Sequence, residues 1–215
     1  MTKHLIPEEY LLEYAAGVLP EGAARLIAAH LTFSPASRAV MRDADRLGGA
    51  LLEMDQAFEP LNSGIAIAPW DMPYTGQVVG SQSLPQADAD VPVPLRPLIG
   101  NRLSDIKWRT FWPGMQTVKI SCPEDTADIS LLRLKPGTGM PVHTHGGDEL
   151  TLVLQGSYTD ETGQYGVGDV SVCNSSLTHR PIADSGQHCI CFTVVDAPLR
   201  FKGIMARIAS RLLLT

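Results

Sequence analysis

Residues 137–156 read GTGMPVHTHGGDELTLVLQG. His143 and His145 stand two apart, and in a strand residues i and i+2 point to the same side. Glu149 follows four residues later, after a Gly-Gly-Asp turn that lets its strand fold back beside the first. Two imidazoles and a carboxylate thus converge on one small volume. Neutral imidazole nitrogen and carboxylate oxygen suit a borderline divalent ion such as Zn, Fe, Mn, Ni or Cu. A fourth ligand is wanted. His179 is the natural candidate, because an antiparallel return after a strand at 169–173 brings it back over the same face.

Outward from this block the chain reads as strand. The segments 118–121 (VKIS), 128–134 (DISLLRL), 149–160 (ELTLVLQGSYTD), 169–173 (DVSVC) and 188–196 (HCICFTVVD) are rich in Val, Ile, Leu, Thr and Phe. Gly, Pro, Asn and Asp turns separate them, which predicts an antiparallel sandwich or barrel. An amphipathic helix is expected over 203–213. The first 55 residues read as helix instead. Pro7 opens a first helix that Gly17 closes, and Pro20 opens a second with Ala23, Leu26, Ile27, His30 and Leu31 on one face. Ser34 followed by Pro35 reads as an N-cap before a third helix running to about residue 55. Three short helices in this length predict a small bundle with a thin core and exposed apolar faces.

Between the two parts the composition shifts. Residues 56–95 hold four acidic residues, no basic one, and prolines at 60, 69, 73, 85, 92 and 94. This punctuation predicts a linker, extended near VPVPLRP, with Ile65, Ile67 and Trp70 as docking points. The expected division is 1–55 helical, 56–95 linker and 96–215 barrel, an α+β chain. The charge is uneven: net −3 over 1–55, −4 over 56–95 and +1 over 96–215. A net charge of −6 argues against a binder that works through nucleic-acid phosphates. No run approaches 18 apolar residues and no signal peptide opens the chain, so a soluble, cytoplasmic protein is expected. The four cysteines, Cys122, Cys173, Cys189 and Cys191, are too sparse for a disulfide framework and read as small core residues. His188 reads as a structural or surface histidine.

Gly137, His143, His145, Glu149 and Gly156 fall on every fixed position of the first cupin motif, so this block resembles the cupins. NSSLTH departs from the second motif but keeps His179 near its histidine. The resemblance implies a small β-barrel (jelly roll) with a metal site formed by His143, His145, Glu149 and His179. It accommodates zinc first, with Fe, Mn or Ni as alternatives. The first part resembles the zinc anti-sigma domain, with an upstream His4 and then His30, Ser34 and Ser37 at H-x3-C-x2-C spacing. Both cysteines of that pattern are serine here. A serine hydroxyl stays protonated near neutral pH and lacks the soft thiolate, which puts the N-terminal zinc in doubt.

Helical module, proline-rich linker and cupin, in that order, resemble the ChrR family of anti-sigma factors. That resemblance implies helices that clasp an ECF-type sigma factor, and a metal-binding cupin that takes part in sensing oxidative stress. No direct contact with nucleic acid or membrane is implied, and apolar strand edges would allow a homodimer through the cupin. The rival reading is an enzyme, a cupin metalloenzyme such as a dioxygenase acting on a small molecule. The metal motif serves both readings. The helical module favours the regulator, since a small cupin enzyme has no need of one.

Overall fold

The computed structural model describes residues 2–54, 89–123, 125–197 and 200–201. Its helices begin where the prolines stand. Pro7 and Pro20 precede α1 (Glu8–Ala15) and α2 (Glu21–Phe33), and Pro35 is the first residue of α3 (Pro35–Met54). A proline at a helix start sacrifices no hydrogen bond, because the first N–H groups have no intrahelical partner. Ser34 is the N-cap the sequence predicts: its Oγ accepts the Ser37 N–H at 3.1 Å.

Among the described residues twelve strands follow, all paired antiparallel. They are β1 (Arg109–Trp112), β2 (Met115–Lys119), β3 (Asp128–Leu134), β4 (His143–Thr144), β5 (Glu149–Gln155), β6 (Ser157–Asp160), β7 (Gly163–Gly166), β8 (Val170–Cys173), β9 (Thr178–His179), β10 (Ile182–Ala183), β11 (Cys189–Val195) and β12 (Arg200–Phe201). A six-stranded sheet has the order β1-β2-β3-β11-β5-β8, and two smaller sheets run β10-β6-β7 and β12-β4-β9. This is the expected α+β architecture, helices first and then an antiparallel barrel.

The central strands β3, β5 and β11 are apolar on both faces, and each face has its own cover. On the inner face Leu134, Val153, Cys189 and Cys191 meet Tyr158, Tyr165 and Ala183 of the smaller sheets. On the outer face Ile129, Leu131, Leu150, Leu152, Phe192 and Val194 form one core with Leu11, Leu26 and Ile27 of the helices. The period of two sends alternate residues to opposite faces, so a nearly continuous apolar run such as CICFTVV, interrupted only by Thr193, means a strand covered on both sides. At β5 Val153 faces inward while Leu150 and Leu152 meet the helices.

The small, thin-cored bundle expected from the sequence finds its cover on the barrel. The core of α2 lies against the barrel, and the apolar residues of α2 are completed by the sheet. The end of the expected linker differs. Residues 93–95 form a 3-10 helix that leads into α4 (Arg96–Ile99), and Val91 and Leu95 are buried against the outer-face core. Two N-terminal prolines in VPVPLRP start these turns where an extended run was expected. The docking points Ile65, Ile67 and Trp70 and the expected helix at 203–213 lie outside the described residues. Among the described residues no helix is long and apolar enough to cross a membrane.

Candidate metal centre

The two-residue strand β4 pairs with β9 so that His143 lies directly opposite His179. His145 follows just beyond β4. The three rings are buried, and their Nε2 atoms converge: His179 lies 3.0 Å from His145 and 3.1 Å from His143. The fixed tautomers make this convergence informative. The His143 Nδ1–H donates to the Pro141 carbonyl at 2.9 Å, and the His179 Nδ1–H donates to Asp160 Oδ2 at 2.8 Å. With the rings neutral, both Nε2 atoms turn lone pairs toward each other, an arrangement that needs a shared positive charge, either a proton on His179 or a cation among the three nitrogens. Burial lowers His143 to about 4. Burial would lower His179 too, but Asp160, Cys173 and Glu149 outweigh it and carry that ring up to about 10.

The residues fit a divalent transition ion. Around a tetrahedral ion bound at about 2.0–2.1 Å, imidazole nitrogens stand roughly 3.3 Å apart, close to the spacing found. The donor set is borderline-soft nitrogen, and two of the rings already carry the outer partners that metal-bound histidines use. The buried His145 Nδ1 lacks a hydrogen-bond partner. It stands 3.2 Å from Glu149 Oε2 without the alignment a hydrogen bond needs.

Of the four residues expected from the sequence, the structure gathers His143, His145 and His179 into one group. Glu149 stands beside that group, against His145, with its Oε1 accepting from Thr151 Oγ1 at 2.9 Å. Burial would raise the Glu149 carboxyl, but His145, His143 and Thr151 hold it below its ordinary value. It is therefore an ionised carboxylate at the edge of the nitrogen cluster. Gly156 of the same block turns the chain at φ +70, where a Cβ would come within 2.5 Å of the His188 carbonyl. His188 stands just before β11 and is not one of the grouped histidines. Asp160 escaped the sequence reading. Its segment, SYTDETGQ, looks like an ordinary hairpin tip, and only a D-x-x-G turn signal marks it.

The N-terminal residues do not fit zinc. The His30 Nδ1–H donates to the Gly168 carbonyl at 2.8 Å, which leaves Nε2 to accept from Ser37 Oγ at 2.8 Å. Ser34 Oγ in turn donates to Ser37 Oγ at 3.0 Å. The hydroxyls and both ring nitrogens are thus spent in one directional chain. His4 packs against Tyr165 with ring centroids 4.2 Å apart and planes tilted by 32°. The cysteines follow expectation with one exception. Cys173, Cys189 and Cys191 are buried and free, and the Cys189 and Cys191 sulfurs are 3.7 Å apart. Half-buried Cys122 donates its thiol to Glu21 Oε2 at 3.2 Å.

Known proteins give the fold and the centre a context. A family model described as the ChrR cupin-like domain matches residues 99–197. The anti-sigma-E factor ChrR of Cereibacter sphaeroides is 35% identical over 206 residues, covering 96% of this chain and 95% of the relative. The crystal structure of Rhodobacter sphaeroides SigE in complex with the anti-sigma ChrR matches with a TM-score of 0.75 and 32% identity, covering 91% of this chain and 100% of that one. Helices, barrel and histidine cluster stand together in one chain whose relative matches it nearly end to end, and this chain belongs to the ChrR family of anti-sigma factors.

Proposed function

We propose that this chain is an anti-sigma factor. It sequesters an ECF-type sigma factor in the cytoplasm through its N-terminal helices, and its cupin is the regulatory, stress-sensing part. The observation that carries the reading is the far half of α3. Leu47, Leu51, Leu52 and Met54 are 58%, 59%, 61% and 75% exposed, and residues 47, 51 and 54 repeat at the spacing of one helix face. Each such side chain gains about 1.5–3 kcal/mol when a partner buries it. An amphipathic helix of this kind docks into an apolar groove of another protein. The acidic balance of residues 1–55 favours a basic partner surface. The chain so read is a binding regulator, and the cluster of histidines serves regulation.

In this reading His143, His145 and His179 hold a divalent transition ion, zinc first, and Glu149 completes the set. When bound, the ion supplies the positive charge that the converging nitrogens require. The chain's own residues orient the ligands: Pro141 fixes the tautomer of His143 and Asp160 that of His179. The centre is also close to the helices. Strand β5 begins at Glu149 and turns Leu150 and Leu152 into the core shared with α2. The same strand thus carries Glu149 beside the histidines and packs against α2.

The double substitution Leu47→Glu plus Leu51→Glu in the full chain tests the helix assignment. Affinity for the sigma factor, measured by isothermal titration, should fall at least about tenfold, equivalent to about 1.4 kcal/mol, with the melting temperature unchanged. Unaltered affinity would remove α3 from the interface.

A further inference from the structure

The Asp160 side chain is fully buried and takes four hydrogen bonds that join two distant parts of the molecule. Oδ2 accepts from His179 Nδ1 at 2.8 Å. Oδ1 accepts from Thr162 N at 2.8 Å, Thr162 Oγ1 at 2.6 Å and Gly163 N at 3.2 Å, which caps the β6–β7 tip. From that tip the contacts run on to the N-terminus. Thr162 Oγ1 and Tyr165 Oη share a hydrogen bond at 2.9 Å. Tyr165 packs against the His4 ring at a tilt of 32°, and a Cβ on Gly163 would come within 3.1 Å of the His4 ring. The backbone of this segment is tied in place as well. The N–H groups of Lys3 and His4 donate to Asp169 Oδ1 at 2.6 and 3.1 Å, and Val170 N donates to the His4 carbonyl at 3.1 Å. The segment leads directly into α1.

We propose that Asp160 is a positioning residue for the metal centre, and that the β6–β7 tip it caps passes the state of that centre to the N-terminal segment. The inference rests on reading the three histidines as a metal centre. Asp160 holds the His179 ring with Nε2 aimed inward, and outer partners of this type govern metal affinity by about 10–100-fold. When His179 turns, Asp160 loses its Oδ2 partner. The tip it caps is then free to shift against Tyr165 and His4. A route of contacts becomes a coupling only when both ends respond together.

The experiment uses the full chain with zinc as the probe. Zinc affinity is measured by chelator competition, and amide hydrogen exchange at Lys3, His4 and Val170 is followed with and without zinc. In the wild type, removing zinc should speed exchange at these three amides by about tenfold, the scale of one hydrogen bond to a charged group. Asp160→Ala should weaken zinc binding by about 10–100-fold and abolish that response. Asp160→Asn, which keeps an acceptor for His179 and the turn, should recover part of the affinity. Tyr165→Phe should keep zinc affinity within about twofold while losing the response, because only the link beyond the tip is cut. Wild-type affinity in Asp160→Ala, or a wild-type response in Tyr165→Phe, would overturn the proposal. A wild-type chain that binds no zinc would overturn the reading of the centre and this inference with it. A chain that binds zinc while its N-terminal amides ignore it would overturn this inference alone.

Discussion

His143 and His179 face each other because β4 and β9 pair at those two residues, and His145 is carried in by the turn after β4. The cluster is therefore a backbone product, and its chemistry fails when side chains are removed. His143→Ala with His145→Ala should lose most of the bound metal in inductively coupled plasma mass spectrometry, while an unchanged content would show that the ion lies elsewhere. His30 gives a separate prediction at this scale. Burial, partly offset by Gly168 and Asp169, holds its pKa below the ordinary 6.5. The unfolded chain then takes up a proton first as pH falls. The stabilisation from neutral His30 is present above pH 6.5 and is lost below it. In urea unfolding of the metal-free chain, the stability lost between about pH 7.5 and pH 5.5 should shrink in His30→Gln. The H-x-H spacing pointed to His143 and His145 and the antiparallel return to His179, the three that the structure gathers, while Glu149 stands beside them. Asp160 was not legible, since its role depends on a ring 19 residues away that no local pattern points to.

Strands and helices were legible where their periods were clean, and their partners were less so. The run CICFTVV announced a strand, but its two apolar faces also meant two covers, one of them α2. A 3.6-residue stripe shows that a helix face is buried without saying against what, so the sequence leaves the cover of α2 open. Gly168 shows how close this docking is. Its φ is +87, and a Cβ there would lie 2.6 Å from Phe33 Cβ and 2.9 Å from Thr2 Cγ2. Gly168→Ala should therefore cost about 1–3 kcal/mol through backbone strain and crowding, read by urea denaturation. A variant as stable as the wild type would mean that the helices sit more loosely on the barrel than the shared core implies.

At the scale of the molecule, the helical module and the barrel form one packed body over the described residues, joined through α2 and the outer face of the large sheet. The joint contains the His30–Gly168 hydrogen bond and the Asp169 contacts to Lys3 and His4. The thiolates of the zinc pattern that the N-terminal helices resemble are replaced by a hydrogen-bonded serine chain, and the residues that could hold a metal ion, His143, His145 and His179, lie in the barrel. In the proposed function binding and sensing share this one framework, with the exposed end of α3 as the partner surface. The most direct measurement is transcription in vitro from a promoter that depends on the ECF-type sigma factor, with the full chain titrated into sigma and core RNA polymerase. The account predicts loss of transcript in step with the chain, complete near one chain per sigma, with a 1:1 complex by gel filtration. Undiminished transcription at a large excess of folded, metal-loaded chain would contradict it.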